Sequence, residues 1–281
     1  MPGSLTLCAT PIGNLEDTSQ RVIRVLEEAD IVACEDTRRT RKLLTHFGIK
    51  ARQLVTYNEG NERRKAAELV THIGKGRRLV LVSDAGMPGL SDPGYRLVRA
   101  CIEAGLPVDV IPGPNAAISA LAISGLPPGR FVFEGFLPRK TSERRRHIET
   151  LKEEQRTLVF YESPHRVTDA LADLAAGLGE RPSALVRELT KMHQEVLRGT
   201  LPELATTAEE RPPRGEIVLV VGGAVRGARE PVDPSELARR ARALMDEGVE
   251  RREAMAQVAR KSGVPKREVF DALVEKGSSA T

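Results

Sequence analysis

Three stretches of this 281-residue chain concentrate glycine, proline and carboxylates directly after short apolar runs. They are Ala9-Thr10-Pro11-Ile12-Gly13-Asn14-Leu15, the segment from Ser83 to Gly94, and Pro112-Gly113-Pro114-Asn115-Ala116. The second carries most information, with three glycines, two prolines and two aspartates in twelve residues. Glycine lets a ligand approach the backbone, and proline fixes tight turns. A sharp turn explains the third stretch by itself but not the second. Loops of this kind offer N–H and C=O groups beside carboxylates. That set suits a ligand with an amine, a ribose and an adenine edge better than one with several phosphates. Neither GxxxxGK[ST] nor GxGxxG occurs, which disfavours a nucleotide triphosphatase or a dehydrogenase.

Two basic runs accompany these loops. From Thr37 to Asn58 there are six Lys or Arg (Arg38, Arg39, Arg41, Lys42, Lys50, Arg52) and no Asp or Glu. From Arg139 to His147 there are five (Arg139, Lys140, Arg144, Arg145, Arg146) against Glu143 alone. A single charge run is ordinarily a solvated helix face, but two concentrated runs put phosphate contact on an equal footing. Aromatic residues are only 3% of the chain, too few for the stacking platforms of a single-strand reader, so recognition by shape fits better.

The elements that must position these residues alternate strand and helix. Leu5 to Ala9 reads as a strand, a helix starts near Asp17-Thr18, and Ile31 to Cys34 is the next strand. One helix carries Leu43, Leu44 and Phe47 and stops at Gly48; another carries Ala66, Leu69, Val70 and Ile73 and stops at Gly74. Leu79 to Val82 suits a central parallel strand buried on both faces. Asp92-Pro93 has the pattern of a cap plus first-turn proline, and Val108 to Ile111 closes the series. This rhythm predicts an α/β domain with an open, mostly parallel sheet over residues 1–112, its strand-end loops being the natural ligand site.

A second α/β domain is expected over residues 113–225. Asn115 leads a helix from Ala116 to Ser124, capped by Gly125. Strand candidates lie at Phe131–Phe133, Leu158–Tyr161, Ala184–Val186, Glu195–Leu197 and Ile217–Val221. The short gap between Val186 and Val196 predicts a hairpin and a mixed sheet. Ser163-Pro164 repeats the cap-plus-proline helix start. A Gly/Arg-rich linker leads to a helical region, 232–281, laid out like a helix-turn-helix around Ser262-Gly263-Val264 or like any small helical hairpin.

The bulk properties set the outer limits. A 40% hydrophobic content over this length supports two cores, and a net charge of +4 permits acidic partners without requiring them. The cysteines Cys8, Cys34 and Cys101 are scattered, as buried small hydrophobes would be. No signal-peptide pattern or membrane-length apolar run occurs, so a soluble cytoplasmic protein is expected.

Eight stretches in order resemble the tetrapyrrole methylase superfamily and, within it, the ribosomal small subunit methyltransferase I branch, the 16S rRNA cytidine 2'-O-methyltransferases. They are ATPIGNLED from Ala9, CEDTRRT from Cys34, SDAGMPGLSDPG from Ser83, PGPNAAISALAISGLP from Pro112, FEGFLPRK from Phe133, FYESPHR from Phe160, RELTKMHQE from Arg187 and GEIVLVV from Gly215. Porphyrin and corrin methylases usually carry GxGPGD and GDP motifs at the corresponding loops, and this chain departs from them at both.

The resemblance implies the tetrapyrrole-methylase (class III methyltransferase) fold, with two α/β domains, a cofactor cleft between them and a small helical appendage. It implies S-adenosyl-L-methionine as cofactor, 16S rRNA in the 30S subunit as substrate, methylation of a cytidine ribose in the decoding region, and a homodimer. By the same carry-over Pro11, Gly13, Asp84, Gly86, Met87, Asp92, Asn115, Ala116, Tyr161, Arg187 and Glu188 line the cofactor site. Arg38, Arg39, Arg41, Lys42, Arg139, Lys140, Arg144 and Arg145 are the candidate RNA contacts.

Methylating a ribose hydroxyl requires an in-line arrangement and removal of one proton. Glu35, Asp36, Glu162 and His165 are the candidate bases. Asp36 has the alternative of capping the following helix, Glu162 of pairing with Arg166, and His165 of sitting in a first helical turn. No His/Cys/Asp/Glu cluster has ligand spacing, so no metal is expected. A small-molecule methylase on the same fold, or a non-catalytic RNA-binding protein, remain the alternatives.

Overall fold

A computed structural model describes residues 3–225 and 233–275. The chain forms two compact units, Met1–Ala224 and Val225–Thr281. Most of the expected Gly/Arg-rich linker, and the last residues of the expected helical region, lie outside the described residues.

The first sheet is built from β1 (Ser4–Cys8), β2 (Ile31–Cys34), β3 (Leu54–Thr56), β4 (Arg78–Val82) and β5 (Val108–Ile111). Its helices are α1 (Gln20–Glu28), α2 (Thr37–His46), α3 (Glu62–Gly74) and α4 (Tyr95–Glu103). All pairings are parallel, in the order β3-β2-β4-β1-β5. The apolar run in β4 shows why both faces must be covered. Leu79 and Leu81 join one core with Leu5, Ile31 and Leu97, while Val80 and Val82 join another with Cys8, Leu26 and Val32. Successive side chains of a strand point to opposite faces, so an unbroken apolar strand needs a layer of helices on each. Burying each of these side chains contributes roughly 1.5–3 kcal/mol. The edge strand β3 has no run of its own long enough to announce it, and β2 holds it in place.

The second sheet follows. Residue 112 falls between β5 and α5 (Ala116–Ser124), where the chain passes from one sheet to the other. Then come β6 (Phe131–Phe136), α6 (Thr141–Thr150), β7 (Thr157–Glu162), α7 (Val167–Leu178), β8 (Pro182–Arg187), β9 (Glu195–Thr200), α8 (Leu201–Glu210) and β10 (Ile217–Val221). The order is β6-β7-β10-β8-β9; β6 and β7 are parallel, and the other pairs, including the β8–β9 hairpin, are antiparallel. Helix α5, capped by Asn115 through the Ile118 N–H at 3.0 Å, places Ala117, Ala120 and Leu121 against Val159, Val186 and Val218. The opposite face packs Leu158, Phe160, Leu185 and Leu219 with residues of α6, α7 and α8.

Three local expectations are corrected. Helix α4 starts at Tyr95 after Gly94, so Asp92 is not its cap. Helix α7 starts at Val167; Ser163 instead begins a turn whose carbonyl accepts the N–H groups of Arg166 and Val167. Arg144, expected at an RNA surface, is buried on the inner face of α6 beside Ile148. Its guanidinium lies 2.6 Å from the buried Asp173 of α7, which also takes Arg145 at 2.7 Å. A buried carboxylate demands a counter-charge, and Arg144 turns inward to supply it.

In the second unit α9 (Pro234–Asp246), α10 (Arg251–Ser262) and α11 (Lys266–Glu275) surround Leu237, Ala241, Val258 and Val269. The three cysteines are buried and unpaired. Among the described residues no helix is long and apolar enough to cross a membrane.

Candidate active site

The three Gly/Pro-rich loops converge on a cavity of about 330 Å³, within the usual range for small-molecule sites. Gly86, Met87, Asp92, Asn115, Ala116 and Tyr161 all line it, as does Glu162. Apolar walls come from Ile12, Leu90, Phe136, Val186, Leu189, Ile217 and Val218. Its lining includes three carboxylates, Asp92, Glu162 and Glu216, and no Lys, Arg or His. An apolar slot with carboxylates and without cations suits an aromatic ring joined to a positive group, and repels polyphosphate.

Burial has marked effects on these carboxylates. Burial, reinforced by the neighbouring Glu35 charge, pushes Asp92 up to about 6. Burial also raises Glu162, against the opposing pull of the Ser163 N–H and Arg166. The Glu162 Oε1 accepts from Ser163 N at 2.8 Å, but the buried Oε2 has no hydrogen bond and only Arg166 Nη2 at 3.4 Å. An unsatisfied buried carboxylate oxygen is costly, and a ligand donor would satisfy it. Gly86 sits at φ +79°, and a Cβ there would come 3.4 Å from Ile12 and 3.6 Å from the Pro114 carbonyl. These are ordinary contact distances, so a side chain there would be strained by the backbone conformation rather than crowded.

A second cavity, of about 300 Å³, adjoins the first. Ile12, Ala85 and Glu216 line both. Pro11, Gly13 and Asp84 line this second cavity and not the first. Asp84 accepts from the Asp36 N–H at 3.1 Å and faces Arg39 at 3.4 Å. Arg39, Lys42 and Lys191 bring positive charge to its rim.

Arg187 and Glu188 line neither cavity; Val186 and Leu189 line the first in their place. Strand alternation turns Arg187 away from Val186, towards Glu195 at 2.7 Å. Glu188 is occupied by Lys191 Nζ at 2.8 Å and by the Glu216 N–H at 3.0 Å. Among the candidate bases, Asp36 caps α2 and is held well below the usual carboxylate range by hydrogen bonds from Arg38. Glu35 is half-buried and raised by burial and by Asp84. His165 is exposed on the turn before α7. Sequence reasoning missed the walls contributed by Leu90, Phe136 and Glu216. GEIVLVV was the one available signal for Glu216.

The family described as Tetrapyrrole (Corrin/Porphyrin) Methylases matches residues 4–205. The chain belongs to that family. Curated relatives named Ribosomal RNA small subunit methyltransferase I place it in their branch. The one from Halalkalibacterium halodurans is 47% identical, covering 96% of this chain and 94% of its own. That from Thermotoga maritima is 45% identical over 221 residues, covering 79% of this chain and 99% of its own. Solved structures agree on the fold: the methyltransferase CobJ has a TM-score of 0.60 at 21% identity, over 79% of this chain and 95% of that one. A uroporphyrin-III C-methyltransferase from Thermus thermophilus, complexed with S-adenosyl homocysteine, has a TM-score of 0.56 at 19% identity, over 78% and 97%. This tetrapyrrole methylase joins two sheets in one compact unit.

Proposed function

We propose that this methylase uses S-adenosyl-L-methionine to methylate the 2'-hydroxyl of a cytidine ribose in 16S rRNA, within the 30S subunit. The observation that carries the reading is the pairing of two cavities through a shared wall. One is lined by carboxylates without cations, and the other is rimmed by Arg39, Lys42 and Lys191. The first fits the cofactor: its apolar walls suit an adenine ring, and the unsatisfied Glu162 and the destabilised Asp92 suit cationic or N–H groups.

The cofactor supplies an activated methyl group on a sulfonium. The chain's own task is to hold the acceptor oxygen in line, exclude water and let one proton leave. The loops at Gly86 and Asn115 would fix the donor, and Ile12, Ala85 and Glu216 would form the boundary across which the acceptor meets it. Methylation of the hydroxyl would release its proton, which a base of this chain would take. Glu35 and Glu162 are the candidates whose raised affinity for protons suits that role. The exposed cations Arg38, Arg39, Arg41 and Lys42 on α2, with Arg139, Lys140 and Arg145, would hold phosphates.

A homodimer working in the cytoplasm completes the proposal, supported by apolar side chains exposed on α4, β5 and α5 at Ile102, Val110 and Ile118. The test is incubation of purified 30S subunits with a labelled methyl donor, followed by nuclease mapping of the modified ribose. Conversion of a porphyrin precursor with no label in rRNA would overturn the reading. Affinity for RNA with no cofactor binding would point to a non-catalytic protein.

A further inference from the structure

The cavity proposed for the donor is the innermost of a connected series of three depressions. A broad basic one on α2 is lined by Arg38, Arg41, Lys42, Thr45 and His46. Lys42 belongs both to it and to the second cavity, and Ile12, Ala85 and Glu216 belong both to the second cavity and to the donor cavity. Charge is graded along the series, from cations outside to carboxylates and apolar walls inside. Among the described residues Arg41 and Lys42 have no carboxylate partner, whereas Arg39 is held by Asp84, and Lys191 by Glu188 and Glu216 at 2.8 and 3.1 Å.

From this gradient we infer that the second cavity seats a single nucleotide turned out of its RNA strand. The strand's phosphates rest on the basic face of α2. This rests on the reading above that the substrate is RNA. The volume of about 300 Å³ admits one nucleoside and not a stacked run. Enzymes that act on a base within a duplex turn the nucleotide out and stack its base between aromatic or apolar side chains, and the same eversion would carry a ribose into a cavity of this size. Leu15 and Leu43 supply such side chains here, with Thr10, Thr40 and Asp84 as polar groups around them. The seat is held open by its own framework. Gly13 lies against the Lys191 stem so closely that any side chain there would collide with it. The Lys191 head is tethered from two sides, so Lys191 acts as a positioning residue that fixes the rim. A duplex lying flat on α2 would keep its ribose outside the shared wall; an everted nucleotide brings its sugar to Ile12 and Ala85.

Leu15 provides the test, because it is 39% exposed and lines the second cavity but not the first. Leu15→Trp should fill the seat, and Leu15→Ala should enlarge it. With 30S subunits in single-turnover assays, Leu15→Trp is expected to slow transfer by about tenfold or more. Its cofactor affinity by calorimetry and its subunit affinity should stay unchanged. Leu15→Ala, which removes part of one apolar wall and blocks nothing, should slow transfer less than Leu15→Trp does. Should the wild-type enzyme methylate the subunit and Leu15→Trp keep pace with it, the seat is overturned while the function stands. Loss of cofactor affinity in Leu15→Trp would also overturn it, by assigning the cavity to the donor. A second measurement uses the unaltered enzyme. A target-stem RNA with 2-aminopurine beside the methylated nucleotide should brighten on binding as its neighbour leaves the stack, and unchanged fluorescence in a methylated complex would refute eversion. If the wild-type enzyme methylates no RNA, the functional reading falls first and takes this inference with it.

Discussion

Thr10 and Gly86 exchange both of their backbone hydrogen bonds, Thr10 N–H to Gly86 O at 2.9 Å and Gly86 N–H to Thr10 O at 3.0 Å. The Thr10 hydroxyl adds a buried bond to the Ser83 carbonyl at 3.2 Å. Two loops that leave different strands are thereby one rigid piece, and both cavities are cut into it.

Gly86→Val should therefore disable the donor site without unfolding the chain. The residue is at positive φ, and a β-branched side chain there costs about 1–3 kcal/mol in strain. Calorimetry should show cofactor affinity falling by about tenfold or more, since each factor of ten is roughly 1.4 kcal/mol. Far-ultraviolet circular dichroism should be unchanged. Wild-type affinity would show that this turn does not shape the site.

Arg144→Met should act on stability rather than on RNA. Burial works to raise the Asp173 carboxyl, but hydrogen bonds from Arg145 and Arg144 outweigh it and hold it below its ordinary value. Removing one partner of a buried pair is destabilising by up to about 3–5 kcal/mol, less here because Arg145 still faces Asp173, whereas replacing both with apolar residues is often neutral. The single variant should lower the denaturant midpoint, and Arg144→Met with Asp173→Leu should recover most of it. A single variant as stable as wild type, with weakened RNA affinity, would return Arg144 to the surface role first expected of it.

Arg41→Glu and Lys42→Glu should weaken subunit binding and leave cofactor affinity alone. Each phosphate contact removed should reduce the slope of log affinity against log salt by about one. Equal slopes in wild type and variants would show that α2 is only a solvated face.

The pH dependence of stability should report Asp92. Between its ordinary value of 3.8 and its folded value of about 6, the folded protein keeps a proton that the unfolded chain has released. Stability of the ligand-free protein therefore falls as pH rises through that window. Asp92→Asn should remove this component and be the more stable protein above it. Cofactor binding should run the other way, tightening in the wild type as the carboxylate forms and staying flatter in Asp92→Asn. Parallel stability curves for the two proteins would rule Asp92 out.

A chain ending at Ala224 should fold and bind cofactor with unchanged affinity. The first unit has its own cores, and the Thermotoga maritima relative is matched over almost its whole length by 221 residues. Loss of cooperative unfolding in the shortened chain would contradict this.

Much of the first sheet was legible because its signals are local. The apolar run at Leu79–Val82 and the glycine stops at Gly48 and Gly74 act within a few residues, and the helices and strands fall where those signals put them. The Asn115 cap and Gly125 end of α5 were legible for the same reason. Where two locally reasonable patterns competed, distance decided. Asp92-Pro93 and Ser163-Pro164 both look like helix starts, yet the chain turns first and begins each helix later.

The sequence by itself determined the family, the alternation of strands and helices, and which loops concentrate glycine, proline and carboxylates, because each depends on residue type and near spacing. Only the tertiary structure decided how those residues are divided between two cavities, and that Val186 and Leu189 rather than Arg187 and Glu188 face the first. It also decided that Arg144 answers a buried aspartate 29 residues away instead of a phosphate. Side-chain direction, burial and the partner of a charge are set by contacts between distant segments, which no local pattern encodes.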